Sequence, residues 1–243
     1  MLQSIFTIEQ NEALAPGMYR MRLSGDTSAL RAPGQFVNIR LEGRFLRRPI
    51  SVCDWENGRL TLLYKVVGGG TAQMASMLPG TELDLLSGLG NGFNMEKSGA
   101  RPLLIGGGAG IPPLYGLCRR LREAGREVCV VMGFNTASEI YYKEEFEALG
   151  ARVLVTTADG SAGVRGFVTD ALDGLDYSYF YTCGPLPMYR AIEKCIRGSG
   201  QYSFEERMGC GFGACMGCSC KTRYGNKRIC RDGPVLEREE IIW

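Results

Sequence analysis

A chain of 243 residues, 45% of them hydrophobic, has material for one large or two modest domains with real cores. Its 28 Lys+Arg against 26 Asp+Glu leave a formal charge of only +2, with no basic or acidic block to grip nucleic acid or an anionic membrane. The complete absence of histidine removes the commonest general base, zinc ligand and haem ligand together.

Residues 1–98 read as all-β. The runs Tyr19–Leu23, Gln35–Arg40 and Leu60–Lys65 alternate in polarity and are separated by Gly, Pro and Asn, which predicts a small antiparallel barrel. Thr71–Met77, ahead of Leu78-Pro79-Gly80, predicts one short helix. Arg47-Arg48-Pro49-Ile50-Ser51 stands at a predicted strand edge. An arginine there can clamp a pyrophosphate bidentately and a serine hydroxyl can hydrogen-bond a flavin ring, although a solvated strand end is the competing reading. Gly68-Gly69-Gly70-Thr71 opens the helix with free backbone N–H groups, either an anion site or a flexible turn.

Over residues 99–201 the rhythm changes to strand–helix alternation. Strands are predicted at Pro102–Ile105, Glu127–Met132, Arg152–Thr156 and Ser178–Thr182. Helices are predicted at Pro112–Glu123, Glu139–Leu149, Gly166–Leu172 and Pro187–Ile196. This alternation implies a doubly wound parallel sheet, with Tyr202–Glu205 as a candidate fifth strand. Pro112 and Pro113 suit a first helical turn, and Gly125 and Gly150 sit where helices end. Ile105-Gly106-Gly107-Gly108-Ala109-Gly110-Ile111-Pro112-Pro113 joins the first strand to the first helix, where dinucleotide phosphates would sit if the segment is more than a tight turn. It is no strict G-x-G-x-x-G, and it lacks the Lys-[Ser/Thr] ending of a P-loop, which argues against ATP or GTP. Cys183-Gly184-Pro185-Leu186-Pro187-Met188 follows a later strand on the same carboxyl edge. Gly133–Ile140 contains no Lys or Arg to grip a 2′-phosphate, which favours NAD over NADP. Asp159-Gly160-Ser161 reads as a polar loop rather than part of a hydrolase site.

In the last region, 202–243, the stretch Arg207–Trp243 is Gly- and Cys-rich without a clear period and too short to bury a core, so a metal is expected to organise it. Ten cysteines are present, with no secretory signal pattern and no apolar stretch of the roughly 20 residues a membrane span needs. A soluble cytoplasmic protein is therefore expected, in which clustered thiols argue for metal or redox chemistry rather than disulfides. Cys210-Gly-Phe-Gly-Ala-Cys215-Met-Gly-Cys218, with Cys230 a loop away, has the C-x4-C-x2-C spacing of plant-type [2Fe-2S] sites. Gly209, Gly211, Gly213 and Gly217 let the backbone wrap closely and aim N–H groups at sulfur. Structural zinc, which prefers paired C-x2-C knuckles, and plain reduced thiols are the competing readings. Without histidine a Rieske-type centre is excluded. Cys220 is the spare, and its exchange with Cys218 stays open; Cys53, Cys118, Cys129 and Cys195 are expected simply to pack.

Taken in order, Arg48-Pro-Ile-Ser51, Gly70-Thr71, Gly106 to Pro113 and Cys183-Gly-Pro185 resemble the ferredoxin-NADP reductase superfamily over nearly the whole chain. The tail, Glu205-Glu-Arg-Met-Gly-Cys210 through Cys218 and then Cys230-Arg-Asp-Gly-Pro-Val235, is similar to that of the electron-transfer subunit family of NAD-dependent (class 1B) dihydroorotate dehydrogenases. The resemblance implies an FAD-binding barrel over 1–98, an NAD-binding α/β domain over 99–201 and a [2Fe-2S] domain over 202–243. It implies FAD contacts at Arg48, Pro49, Ile50, Ser51, Leu63, Tyr64, Lys65, Gly70 and Thr71, and cluster ligation by Cys210, Cys215, Cys218 and Cys230. The dinucleotide would meet Gly106, Gly107, Gly108, Gly110 and Pro113 on one side and Cys183, Gly184, Pro185 and Met188 on the other. It further implies an FMN-containing catalytic partner, two of each chain in a heterotetramer, and a place in pyrimidine (UMP) synthesis.

Electron counting orders the carriers. A nicotinamide exchanges two electrons as hydride, a [2Fe-2S] cluster carries one, and a flavin does both, so FAD must stand between them. The sequence holds no convincing acid–base dyad or nucleophile, which puts the pyrimidine chemistry on another chain; Phe212 and Met216, beside the cluster, are the expected docking face. The same architecture would serve an NAD(P)H-ferredoxin or electron-bifurcating reductase subunit, marked by reactivity with ferredoxin. It would also serve a non-enzymatic iron or redox sensor, marked by failure of NADH to reduce the flavin.

Overall fold

The computed structural model describes residues 1–243. Strands β1 (Leu2–Ala15), β2 (Met18–Ser24), β3 (Phe36–Ile39), β4 (Arg48–Glu56) and β5 (Arg59–Lys65) precede a short helix α1 (Gly69–Ala75) and strand β6 (Glu82–Leu89). These six strands close into an antiparallel barrel in the order β1-β2-β5-β4-β3-β6. Closure removes both edges, and the period-2 alternation sends Phe6, Met21, Val37, Ile39, Leu60, Leu62 and Leu85 inward as one buried cluster.

The second unit is a seven-stranded sheet in the order β10-β9-β8-β7-β11-β12-β15. Its strands are β7 (Pro102–Gly107), β8 (Cys129–Phe134), β9 (Arg152–Thr157), β10 (Val164–Arg165), β11 (Tyr179–Cys183), β12 (Gly200–Ser203) and, after the hairpin β13 (Ser219–Thr222) and β14 (Gly225–Arg228), β15 (Val235–Glu237). All neighbours are parallel except β15, which runs antiparallel to β12. From β7 the chain winds outward through α2 (Pro112–Glu123), β8, α3 (Lys143–Ala148) and β9, then crosses to β11 on the other flank of β7 and continues through α4 (Leu186–Glu193). The strand order therefore reverses between β7 and β11, the point where ligands bind in such sheets. No helix is long and apolar enough to cross a membrane.

The barrel and the sheet share a core: Met18, Cys53 and Leu63 pack in the same cluster as Leu104, Leu114 and Leu117. A polar clasp reinforces the contact. Asp54 on β4 accepts two hydrogen bonds from Arg119 on α2, both 2.9 Å, while Arg120 lies 3.7 Å over the Trp55 ring.

Several sequence expectations are adjusted. The helix expected over Glu139–Leu149 is split into a 3-10 turn at Ala137–Glu139 and the short α3, because Tyr142 takes a left-handed φ of 62°. That kink lets Tyr141 pack on Phe134 and Tyr142 on Tyr115, a gain in core packing that outweighs helix continuity. The helix expected over Gly166–Leu172 is only a 3-10 turn, Val168–Ala171, opened by the Phe167 N–H donating to the Asp170 carboxylate at 2.7 Å. Cys195, expected to pack, is exposed beyond the end of α4, whereas Cys53 and Cys118 are buried and Cys129 is half-buried. The tail expected to lack elements contributes β15 to the large sheet.

Candidate functional site

Three candidate sites stand out, one at the sheet, one on the barrel and one in the tail. The first is a cavity of about 540 Å³ at the β7–β11 reversal. Gly107, Gly108 and Gly110 line it from the turn after β7, and Gly184, Pro185 and Met188 from the turn before and within α4. The two turns touch backbone to backbone: a Cβ on Gly110 would lie 2.2 Å from the Cys183 carbonyl oxygen, and one on Gly107 would lie 2.5 Å from Met188 Sδ. Tyr141 fixes the first turn by donating its hydroxyl to the Gly108 carbonyl at 2.7 Å. Gly106 packs on Ile111 and Leu114, and Pro113 and Cys183 are buried, so these three sequence candidates support the wall rather than line it. Burial pushes the Cys183 thiol up, which keeps it protonated and unreactive at neutral pH.

Lys65, at the end of β5, reaches this cavity and is its one cationic lining residue. The far end, toward β8 and β9, carries residues that the sequence reading passed over: Asn135, Glu139, Thr156 and Phe167. Glu139 accepts from the Asn135 backbone N–H at 3.1 Å and from its Nδ2 at 2.9 Å. The signal available for Glu139 was an acid in the loop after the second strand of a nucleotide-binding sheet. Glu205, after β12, also lines it.

The second site lies on the barrel. Arg48 on β4 reaches across to the first turn of α1, so close that a Cβ on Gly70 would lie 2.3 Å from its Nε. Arg44, which sequence reasoning missed, crosses the same turn, donating Nη2 to the Gly69 carbonyl at 3.1 Å and Nε to Gln73 at 3.2 Å. Pro49, Ile50 and Ser51 follow on β4, half-buried. Thr71 uses its hydroxyl locally, accepting from Val67 N–H at 2.9 Å and donating to the Gly68 carbonyl, which leaves its main chain for a ligand. Leu63 and Tyr64 are buried; the Tyr64 ring stacks on Tyr19 inside the barrel and its hydroxyl donates to Asn11 at 2.8 Å, so β5 offers this face its backbone. Arg47 is committed to Asp84 at 2.8 Å, and that guanidinium holds the Asp84 carboxyl below its ordinary range. Two guanidiniums over a glycine-only turn form a cradle that fits a flavin carrying a pyrophosphate.

The third site is the loop Cys210–Cys218 with Cys230. Cys218 and Cys230 are buried, Cys210 is half-buried and Cys215 is exposed. Cys210 Sγ accepts from the N–H groups of Ala214 at 3.2 Å and Cys215 at 3.4 Å, and Cys218 Sγ accepts from Cys230 N–H at 3.4 Å. Desolvation opposes ionisation of Cys210, but backbone N–H groups, that of Cys215 foremost, overcome it and bring the thiol down to about 6. Cys230 goes the other way, raised by burial and then by neighbouring Cys218 to about 12. The N–H···S contacts bring Cys215 to Cys210 and Cys230 to Cys218, and Cys210 is close enough to add to the rise at Cys230. No three His, Cys, Asp or Glu side chains converge as one ion requires. Two thiols beside each other at two places fit two irons with two thiolates apiece, the donor set of a [2Fe-2S] cluster. Cys220 stands apart on β13, lining a second hollow with Glu206 and Ile241.

The loop docks on the barrel. Asn38, buried in β3 and opposite Pro49 in register, donates Nδ2 to the Cys210 carbonyl at 3.2 Å. The approach requires Gly211, with φ of 79°, since a Cβ there would lie 2.3 Å from Asn38 Nδ2.

Comparison with known proteins places these parts in a family. The iron-sulfur cluster binding domain of dihydroorotate dehydrogenase B matches residues 205–242, and the oxidoreductase NAD-binding domain matches 104–194. The chain is 40% identical over 251 residues to the dihydroorotate dehydrogenase B (NAD(+)) electron transfer subunit of Fusobacterium nucleatum subsp. nucleatum, covering 97% of this chain and 96% of that one. It is 42% identical over 252 residues to the subunit of the same name from Bacillus caldolyticus, covering 97% of each. Among solved structures, an NADH-dependent reduced ferredoxin-NADP oxidoreductase superposes with a TM-score of 0.89 at 29% identity, over 99% of this chain and 90% of that one. The chain belongs to the family of dihydroorotate dehydrogenase B (NAD(+)) electron transfer subunits.

Proposed function

We propose that this member of the family is the electron-transfer subunit of an NAD-linked dihydroorotate dehydrogenase, taking electrons from a catalytic partner and delivering them to NAD+ in pyrimidine synthesis. The observation that carries the reading is the Asn38–Cys210 hydrogen bond, which joins the cysteine loop to the strand paired with Arg48–Ser51. Arg48, Pro49, Ile50 and Ser51, with Gly70, Thr71 and the main chain of Leu63 and Tyr64, hold FAD. Cys210, Cys215, Cys218 and Cys230 hold a [2Fe-2S] cluster. Gly107, Gly108, Gly110, Gly184, Pro185 and Met188 receive the dinucleotide, with Lys65 facing its phosphates. When bound, FAD supplies the exchange between hydride at the nicotinamide and single electrons at the cluster.

The chain itself contributes position and exclusion of water. The chain holds no histidine and the Cys183 thiol behind the cavity wall is buried and held protonated, so dihydroorotate oxidation falls to the partner. That partner is an FMN-containing catalytic subunit, assembled two and two with this chain. Phe212 and Met216, 44% and 54% exposed beside the cysteines, are its docking face. Ten unpaired cysteines suit the reducing cytoplasm. A second reading, a subunit of a bifurcating reductase, draws on the likeness to the ferredoxin-NADP oxidoreductase structure, and the partner decides between them.

The test is anaerobic, dihydroorotate-dependent reduction of NAD+ by this chain co-expressed with its candidate catalytic subunit. Activity that needs both chains supports the reading. A stable, fully loaded pair with no activity, combined with reduction of ferredoxin, replaces it with the second.

A further inference from the structure

We infer that Glu139 is the residue that selects NAD(H) over NADP(H), holding a carboxylate where the 2′-phosphate of NADP(H) would have to lie. The inference rests on the reading of the β7–β11 cavity as the dinucleotide site. In a sheet of this topology the phosphates lie at the turn after the first strand and the adenosine ribose beside the end of the next strand. Here those places are Gly107–Gly110 and the end of β8, where Asn135 and Glu139 form the cavity wall. Of the three charged lining residues, Glu139 alone follows β8; Glu205 follows β12, and Lys65, the one cation, comes from the end of β5 in the barrel.

The carboxylate is held in place. Asn135 donates to it from both its backbone N–H, at 3.1 Å, and its side chain, at 2.9 Å. The turn that carries it is pinned by the Ala137 N–H donating to Ser161 Oγ at 2.7 Å. A carboxylate offers about four lone-pair sites, so capacity remains to accept from the 2′- and 3′-hydroxyls of a ribose. A phosphate at the same position would bring like charges together with no cation to offset them. Independently, the Thr156 hydroxyl in the same wall is fully buried and has no hydrogen-bond partner within the protein, a polar group that calls for a ligand partner.

The test is calorimetric binding of ADP-ribose and 2′-phospho-ADP-ribose to the chain carrying its flavin and cluster, whose absorbance reports that each variant is folded. The wild type is expected to prefer ADP-ribose by about 100-fold or more, and Glu139→Gln to lower that preference at least about tenfold. Glu139→Asp, which keeps the charge, is expected to retain most of it. An unchanged preference in Glu139→Gln, with ADP-ribose still bound, overturns the assignment, as does a loss in Glu139→Asp equal to that in Glu139→Gln. Failure of the wild type to bind ADP-ribose at all would instead overturn the reading of the cavity and this inference with it.

Discussion

At the β7–β11 end of the cavity the wall is largely glycine main chain: Gly107–Gly110 and Gly184 hang from the ends of β7 and β11, both buried in a parallel sheet. Around the cysteines no strand or helix runs from Phe204 to Cys218, and the loop is shaped by N–H···S contacts and by its docking on Asn38. One site is shaped by the topology of the sheet; the other, on the proposed reading, depends on four thiolates and the cluster they would hold. The difference also sets how each fails. The cavity is lost by adding atoms, and the cluster by removing one sulfur.

Cys215→Ser is the sharpest way to test that contrast. It is expected to abolish bound iron and labile sulfide while NADH still bleaches the flavin, because Cys215 is exposed and lies in none of the hydrophobic clusters. Iron analysis with a stopped-flow trace of flavin absorbance checks this; loss of flavin reduction as well would show that the two regions are not separable. Gly110→Ala should do the reverse. A methyl 2.2 Å from the Cys183 carbonyl forces the two turns apart, costing about 1–3 kcal/mol of stability and at least about tenfold in ADP-ribose affinity, with iron content unchanged. Denaturant melts and calorimetry would measure both.

Gly211→Ala probes the junction itself. The left-handed φ of 79° and the 2.3 Å approach to Asn38 Nδ2 both oppose a methyl there, a penalty of about 1–3 kcal/mol in loop docking. The expected result is slower reduction of the cluster by NADH at an unchanged rate of flavin reduction, followed by rapid mixing.

Much of this plan was legible in the residues. The central strands β7 and β11 are short runs buried on both faces, and Pro112 marks the start of α2 to the residue. The C-x4-C-x2-C spacing falls inside the segment 205–242 that matches the iron-sulfur cluster binding domain, because ligand spacing is a local signal. What escaped depends on distant parts of the chain. Tyr142 breaks a helix to satisfy core aromatics, Arg44 finds Gly69 across 25 positions, and β15 pairs with a strand 32 residues before it in sequence, counted from Ser203 to Val235. Lys65, grouped with the flavin residues by the family resemblance, reaches the nucleotide cavity because β5 ends between the two units. Glu139 read as the first residue of a helix over Glu139–Leu149, whereas the turn at Ala137–Glu139 sets it on the cavity wall.

The smallest effect separates scaffold from site. Asp84 is held below the ordinary carboxylate range by Arg47, so its pairing stabilises the fold fully above the unfolded pKa of about 4 and loses that stabilisation as pH falls through the lower folded value. Asp84→Asn is therefore expected to cost about 1 kcal/mol at neutral pH and progressively less below about pH 4, as urea melts across pH would record. Cofactor content should not change.

The most direct measurement is an anaerobic NADH titration of the isolated chain, loaded with flavin and cluster, followed by flavin absorbance and by electron paramagnetic resonance of the reduced cluster. The expected result is bleaching of the flavin together with appearance of the cluster signal, and bleaching alone in Cys215→Ser. A wild-type chain whose flavin bleaches while its intact cluster stays oxidised would contradict the claim that one polypeptide connects the nucleotide cavity to the cysteine loop.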